Sequence, residues 1–335
     1  MLRILLLIAI ILAATGSARA LPPGVSLIQV APGCEDFAFD AAPSGDRLIL
    51  SCDDRRHPHS QGALWAMDLK SHKVQRLEIR GYARHSFHPH GLSLIRRAGR
   101  TLLYVINHQH KSQSLQRRNF TEVLIFEVEQ DRLTYVNEIG SSGAKHFAAP
   151  NDLVALPSGE VFMSNPMSTS RSLLYYSPHT LRWTTAARGF LYPNGVHHLD
   201  GQIFLNSSVS GKQFAWKHLG EGRLAARSVV ARGLGALDNI TENDDGWRLS
   251  SGANSFVEFL RYFLKPGHWP SSGVWRSRGT VTERLASPDL STVIKAPSVA
   301  YEYRDRLYLG QVFESFVSVI EAPRWERISH HSGIK

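Results

Sequence analysis

Three adjacent pairs of oxygen-bearing side chains stand far apart in the chain: Glu35-Asp36, Asn151-Asp152 and Asp238-Asn239. Asn194 adds a further amide, and His88 and His90 bracket Pro89 in HSFHPHGLSLI. Gathered in one place, the carboxylates of this set would repel one another, and burying uncompensated charge is costly. A bound cation removes that conflict. The donors are nearly all oxygen, which suits calcium with its roughly six to eight oxygen ligands. Zinc would call for cysteines or several histidines in tetrahedral array, and a His88/His90/His108/His110 cluster is the competing metal reading. Taken singly, each Asn-Asp pair also reads as turn residues capping a strand. A histidine near a cation adds chemistry of its own, because it titrates near neutrality and can take a proton from water.

What could gather these residues is a weak internal repeat. CEDFAFDAAPSGDRLILSCDD (34–54), PHGLSLIRRAGRTLLYVINH (89–108), PNDLVALPSGEVFMSN (150–165), PNGVHHLDGQIFLNS (193–207), LDNITENDDGWRLSS (237–251) and APSVAYEYRDRLYLGQVF (296–313) follow one plan. Each opens on a polar or small residue, runs as a short strand, turns tightly and returns as a second apolar strand. The opening residues Asp36, His90, Asp152, Asn194, Asn239 and Ser298 are separated by 54, 62, 42, 45 and 59 positions. Such periods, with several strands each, indicate an all-β fold, a β-propeller of six blades with calcium sites in its central channel. The residue opening each innermost strand then falls on one ring at the channel mouth. Side chains alternate along a strand, so one member of a pair would face the mouth and the other a deeper site, which leaves room for two stacked ions. VSLIQV (25–30) is expected to complete the last blade beside FVSVIEA (316–322), and no long amphipathic helix is evident after residue 20.

The first twenty residues, MLRILLLIAIILAATGSARA, carry a basic start, an apolar stretch and an Ala18-Arg19-Ala20 cleavage pattern. They read as a secretory signal, with a retained membrane anchor as the alternative. Residues 21–335 then form one propeller domain, secreted or periplasmic, and any membrane association would run through the leader alone. The formal charge of +9 is spread along the chain without an aromatic-basic pattern, which reads as a solvated basic surface and argues against nucleic acid as a partner. Cys34 and Cys52 flank a hairpin and would face each other across it, so an exported chain could bridge them; two free buried thiols are the alternative. No G-x-S-x-G elbow nominates a serine nucleophile.

CEDFAFD, FHPHGLSLI, LYVINH, PNDLVAL, PNGVHHLDGQIFLNS, LDNITENDDG and APSVAYEYRDRLYLGQVF, in this order over roughly residues 30–320, make the chain resemble the paraoxonase/arylesterase family, calcium-dependent six-bladed propellers related to the senescence-marker/gluconolactonase proteins. The resemblance implies a catalytic calcium held by Glu35, Asn151, Asn194, Asp238 and Asn239. It implies a structural calcium held by Asp36, Asp152 and the backbone carbonyl of Leu92, and a histidine dyad of His90 and His108. It also implies hydrolysis of small-molecule lactones and aryl esters. The segment FMSNPMSTSRSLLYYSP is short where the animal proteins carry a lid helix, so the lid is expected to be reduced or built differently. A non-catalytic propeller with purely structural ions is the alternative from another class. A strictosidine-synthase-like propeller would lack the acidic ligand set. Asn119, Asn206 and Asn239 head glycosylation sequons, and His197-His198 could reach the pocket or simply belong to a strand.

Overall fold

The computed structural model describes residues 21–57, 60–82, 86–108, 121–140, 147, 149–265, 267–286 and 294–328; the expected leader, His110 and the Asn119 sequon lie outside them. Six sheets are stacked in sequence order around a channel. Their innermost strands are Cys34–Ala42, Pro89–Arg97, Leu153–Ala155, Pro193–Leu199, Ala236–Glu242 and Pro297–Tyr303, each touching the next, with the sixth back against the first. This is the six-bladed propeller that the repeat predicts. The strands following each inner strand pair outward and antiparallel, so every blade is a meander.

The hydrophobic cores lie between blades. Leu103, Val105 and Phe126 of the second blade pack against Ile49 and Leu64 of the first; Tyr104 and Ile106 on the other faces of the same strands join Met163 and Trp183 of the third. Both faces of each sheet are thus covered, which explains the nearly continuous apolar runs of strands such as Thr121–Val128. Closure comes from Val25–Gln29, which adds to Phe316–Glu321 in antiparallel register from Val25 opposite Ile320 to Gln29 opposite Phe316. The expected last-blade strand is therefore present, and it joins the two ends without a covalent link. Two further edges borrow strands: Glu78–Arg80 runs parallel to Arg132–Ile139, and Trp325–Arg327 caps Val281–Leu285.

Cys34 lies opposite Cys52 in the first hairpin and the two are joined as a disulfide. Closing a loop of 18 positions stabilises by about 3 kcal/mol in the chain-entropy account.

Five of the six inner strands break register at the same level. The irregularities fall between Cys34 and Asp36, Pro89 and Leu92, Pro193 and Val196, Leu237 and Ile240, and Pro297 and Val299. The residues inside these gaps are Glu35, His90-Gly91, Asn194-Gly195, Asp238-Asn239 and Ser298. A bulge withdraws a residue from the ladder and re-aims its side chain. The two glycines have a packing reason. A Cβ on Gly91 would lie 2.7 Å from the Asp152 Cα, and one on Gly195 would lie 2.5 Å from the Asp238 carbonyl oxygen.

One element had not been expected. A nine-residue amphipathic helix, Phe256–Leu264, interrupts the fifth blade after strand Arg248–Ala253. Its signal was legible as a capping box, because Ser255 precedes it and Glu258 stands three residues on. The Ser255 hydroxyl accepts from the Glu258 N–H at 3.2 Å.

Candidate active site

The bulged residues and their neighbours converge on one cavity of about 160 Å³, lined by Glu35, His90, Asn151, Asn194 and Asp238, with Arg55 and Tyr192 beside them. Asn151 arrives differently from the rest. It precedes the short strand Leu153–Ala155, held by its N–H to the Ser164 carbonyl at 3.2 Å. The wall of the cavity is aromatic, made by Phe256, Phe259 and Phe263 of the fifth-blade helix. These phenylalanines come from the fifth blade, not from the FMSNPMSTSRSLLYYSP segment of the third.

The electrostatics of this cavity are unusual. One side-chain oxygen each of Asn151, Asn194, Asp238 and Asn239 is buried with no hydrogen-bond partner. The amide nitrogens are used instead: Asn194 donates to the Ser208 hydroxyl at 3.2 Å and Asn239 to the Glu35 carbonyl at 2.9 Å. Orphaned buried acceptors cost about 1–3 kcal/mol each, so four around one ring are explicable when a further group is bound. Among the described residues no three His, Cys, Asp or Glu side chains form a metal-ligand group by themselves. The ring draws three of its five side-chain oxygens from amides, and with the carboxylates of Glu35 and Asp238 that donor chemistry fits a hard, oxygen-preferring cation.

Burial pushes the Glu35 carboxyl up, but the charges of Arg55 and His90 outweigh it and hold the group at about 2. Asp238 is pushed well up by burial and by the Glu35 charge. Arg55 Nε makes an ion pair with Glu35 Oε2, and its Nη1 stands 3.9 Å from Asp53.

The two predicted histidines form a chain. His90 Nε2 lies 3.1 Å from Glu35 Oε1, His90 Nδ1 lies 2.9 Å from His108 Nε2, and His108 Nδ1 lies 3.1 Å from the Thr121 hydroxyl. The strands explain this: His90 opens the second blade's inner strand and His108 ends the next one outward. Burial, then the facing charges of His90 and Arg55, pushes His108 well below the usual histidine range, so it is neutral at pH 7.

The remaining predicted residues lie apart. Asp36, Asp152 and Leu92 line a second, larger cavity of about 630 Å³. Consecutive residues of two pairs therefore do face different spaces. Asp36 accepts from the N–H groups of Phe37 (2.8 Å) and Leu92 (2.6 Å), and Asp152 from those of Leu153 (2.7 Å) and Val196 (2.6 Å). Leu92 thus meets Asp36 through its amide N–H. Burial pushes both carboxyls well above the usual range; the Asp152 charge adds to this at Asp36, and the Asp238 charge at Asp152.

His197 and His198 belong to the second cavity, with His197 paired to Glu242 at 3.0 Å. His88 is buried against Asp53 at 3.2 Å. Asn206 is fully buried and donates to the Asp238 carbonyl at 2.7 Å, so its sequon is closed to glycosylation in the folded chain. Arg55, Thr121 and the helix phenylalanines escaped sequence reasoning. Cys52, three residues earlier, was the nearest available pointer to Arg55.

The arylesterase family model matches residues 54–318. Serum paraoxonase/arylesterase 2 of Gallus gallus is 26% identical over 323 residues, covering 88% of this chain and 87% of its own length. Serum paraoxonase/lactonase 3 of Homo sapiens is 27% identical over 321 residues, covering 87% of each. Among solved structures, a gluconolactonase from Xanthomonas campestris superposes with a TM-score of 0.56 at 16% identity over 89% of each chain, a likeness of fold. With more than half of its length matched by the family model, the chain belongs to the arylesterase family.

Proposed function

We propose that this chain is an exported, calcium-dependent hydrolase of lactones and aryl esters. The observation that carries this reading is the ring of buried, unpartnered oxygens about a small cavity that is also lined by His90, which is hydrogen-bonded to His108. The names of the relatives, arylesterase and lactonase, supply the reaction class. Glu35, Asn151, Asn194, Asp238 and Asn239 would hold the catalytic ion; Asp36, Asp152 and the Leu92 carbonyl would hold a structural one. When bound, the catalytic calcium supplies Lewis acidity for a substrate carbonyl and for the oxyanion that forms from it.

The protein's own part is proton handling and orientation. In one tautomer of the chain, Thr121 donates to His108 Nδ1, His108 Nε2 donates to His90 Nδ1, and His90 Nε2 donates to Glu35. In the reversed tautomer every proton points the other way and His90 Nε2 carries a lone pair. Glu35 must then accept elsewhere, as it does when committed to a cation. His90 in that state can take a proton from water, and neutral His108 receives the Nδ1 hydrogen bond and fixes the ring. Phe256, Phe259 and Phe263 exclude water and face the apolar part of a substrate.

The leader and the disulfide support export, with residues 21–335 as one propeller domain. Turnover of a chromogenic lactone and of an aryl ester, measured with and without chelator, tests the reading. The expected result is activity lost on chelation and regained with calcium. Unfolding on chelation without turnover of either substrate at any calcium level would favour a binding module instead.

A further inference from the structure

Arg55 has no place in the ligand set, yet its guanidinium lines the same cavity as Glu35, His90, Asn194 and Asp238. It is placed there by covalent geometry. Cys52, three residues earlier, is bridged to Cys34, and Cys34 immediately precedes Glu35. The disulfide therefore staples the loop bearing the cation to the strand bearing the acid. Arg55 is largely buried, with 16% of its side chain exposed, against 7% for Glu35.

The pairing is incomplete on both sides. Arg55 Nε makes an ion pair with Glu35 Oε2, but both of these atoms and Arg55 Nη2 are buried without a hydrogen-bond partner. Around the same ring, oxygens of Asn151, Asn194, Asp238 and Asn239 are likewise buried without partners. A guanidinium is a planar fork on a tether and satisfies one carboxylate well. It cannot turn to five acceptors converging from five directions, whereas a spherical dication can.

We propose that Arg55 is a tethered cation that competes with calcium for Glu35, so that the ion loads by exchange and the site's affinity is set below what its oxygens alone would give. This rests on the calcium reading above. In the metal-free protein Arg55 compensates part of the buried negative charge. On loading, it leaves Glu35, and its Nη groups become available at the cavity wall. Such a device keeps the metal-free fold intact before calcium is met.

Calcium titration of the chelator-treated protein by calorimetry, together with the thermal midpoint of the metal-free state, tests this in the wild type, Arg55→Gln and Arg55→Lys. Arg55→Gln is expected to bind calcium at least tenfold more tightly while its metal-free form melts lower; Arg55→Lys is expected to stay within a few-fold of wild type. Arg55→Met, which keeps the apolar stem, reads the same quantity if the amide variant does not fold. Equal or weaker binding by the neutral variants overturns the competition and leaves the calcium reading standing. Absence of calcium uptake by every protein, wild type included, overturns that reading and the proposal with it.

Discussion

Glu35 and Asp36 are neighbours in sequence, but their carboxyls occupy two differently built places. Around Glu35, amide oxygens stand unpartnered, and among the described residues its carboxyl meets side chains, Arg55 and His90. Around Asp36 and its counterpart Asp152, four backbone N–H groups fill the carboxylate oxygens. Backbone donors come with the strands and cannot leave; side-chain partners can. The first place is suited to exchange ligands during turnover, and the second to hold blades together. On the reading proposed above, the first place would hold the catalytic ion and the second the structural one.

Three measurements can break or sharpen the contrast. Asp238→Ala removes a carboxylate from the exchangeable ring, and turnover is expected to fall by roughly 10³-fold with weakened metal binding, since Lewis-acid stabilisation is worth several kcal/mol. Full activity in that variant would dissolve the ring as a functional unit. His90→Gln is expected to cost about 10²-fold in turnover, the lower end of general-base contributions, while calcium content by elemental analysis stays at the wild-type value. An unchanged rate would remove His90 as the base.

The smallest effect is on stability and concerns the carboxyls of Asp36, Asp152 and Asp238. Their folded values are raised, so their protonated state stabilises the metal-free fold fully below the model-peptide value of 3.8, and this stability is lost as pH rises through the raised folded values. On the proposed reading, calcium would supply the compensation that protons supply in acid. The gap in thermal midpoint between calcium-loaded and chelated protein is expected to be at least about 5 °C near neutral pH and to shrink steadily towards pH 5. A gap that widens in acid would contradict the assignment.

Much of the fold could be read from pattern, because blades are local: a strand, a turn and a returning strand repeat within a few dozen residues, and the ring residues open each unit. VSLIQV declared itself by its alternation, and it pairs where expected. Other features depended on contacts that no local window contains. Arg55 lies in a loop with no periodicity, and the acid it pairs with, Glu35, is 20 residues back. Thr121 matters only because the strand beginning there pairs with the one ending at His108. The helix Phe256–Leu264 was locally encoded by Ser255 and Glu258, but a nine-residue amphipathic stretch in a strand-rich chain is easily absorbed into a long loop. The Asn206 sequon gave no sign of its burial, because the motif is indifferent to it.

The five register breaks of the inner strands have a consequence for how such a molecule can change. A residue inside a bulge contributes little to the ladder that holds its blade. Glu35, His90, Asn194 and Asp238 can therefore be exchanged for other side chains while the flanking pairs, from Phe37 with Leu50 to Val196 with Leu205, keep their partners. The scaffold and the chemistry are written in different residues of the same strands. A lineage can therefore rewrite the second without reopening the first, with Gly91 and Gly195 as the fixed punctuation between them.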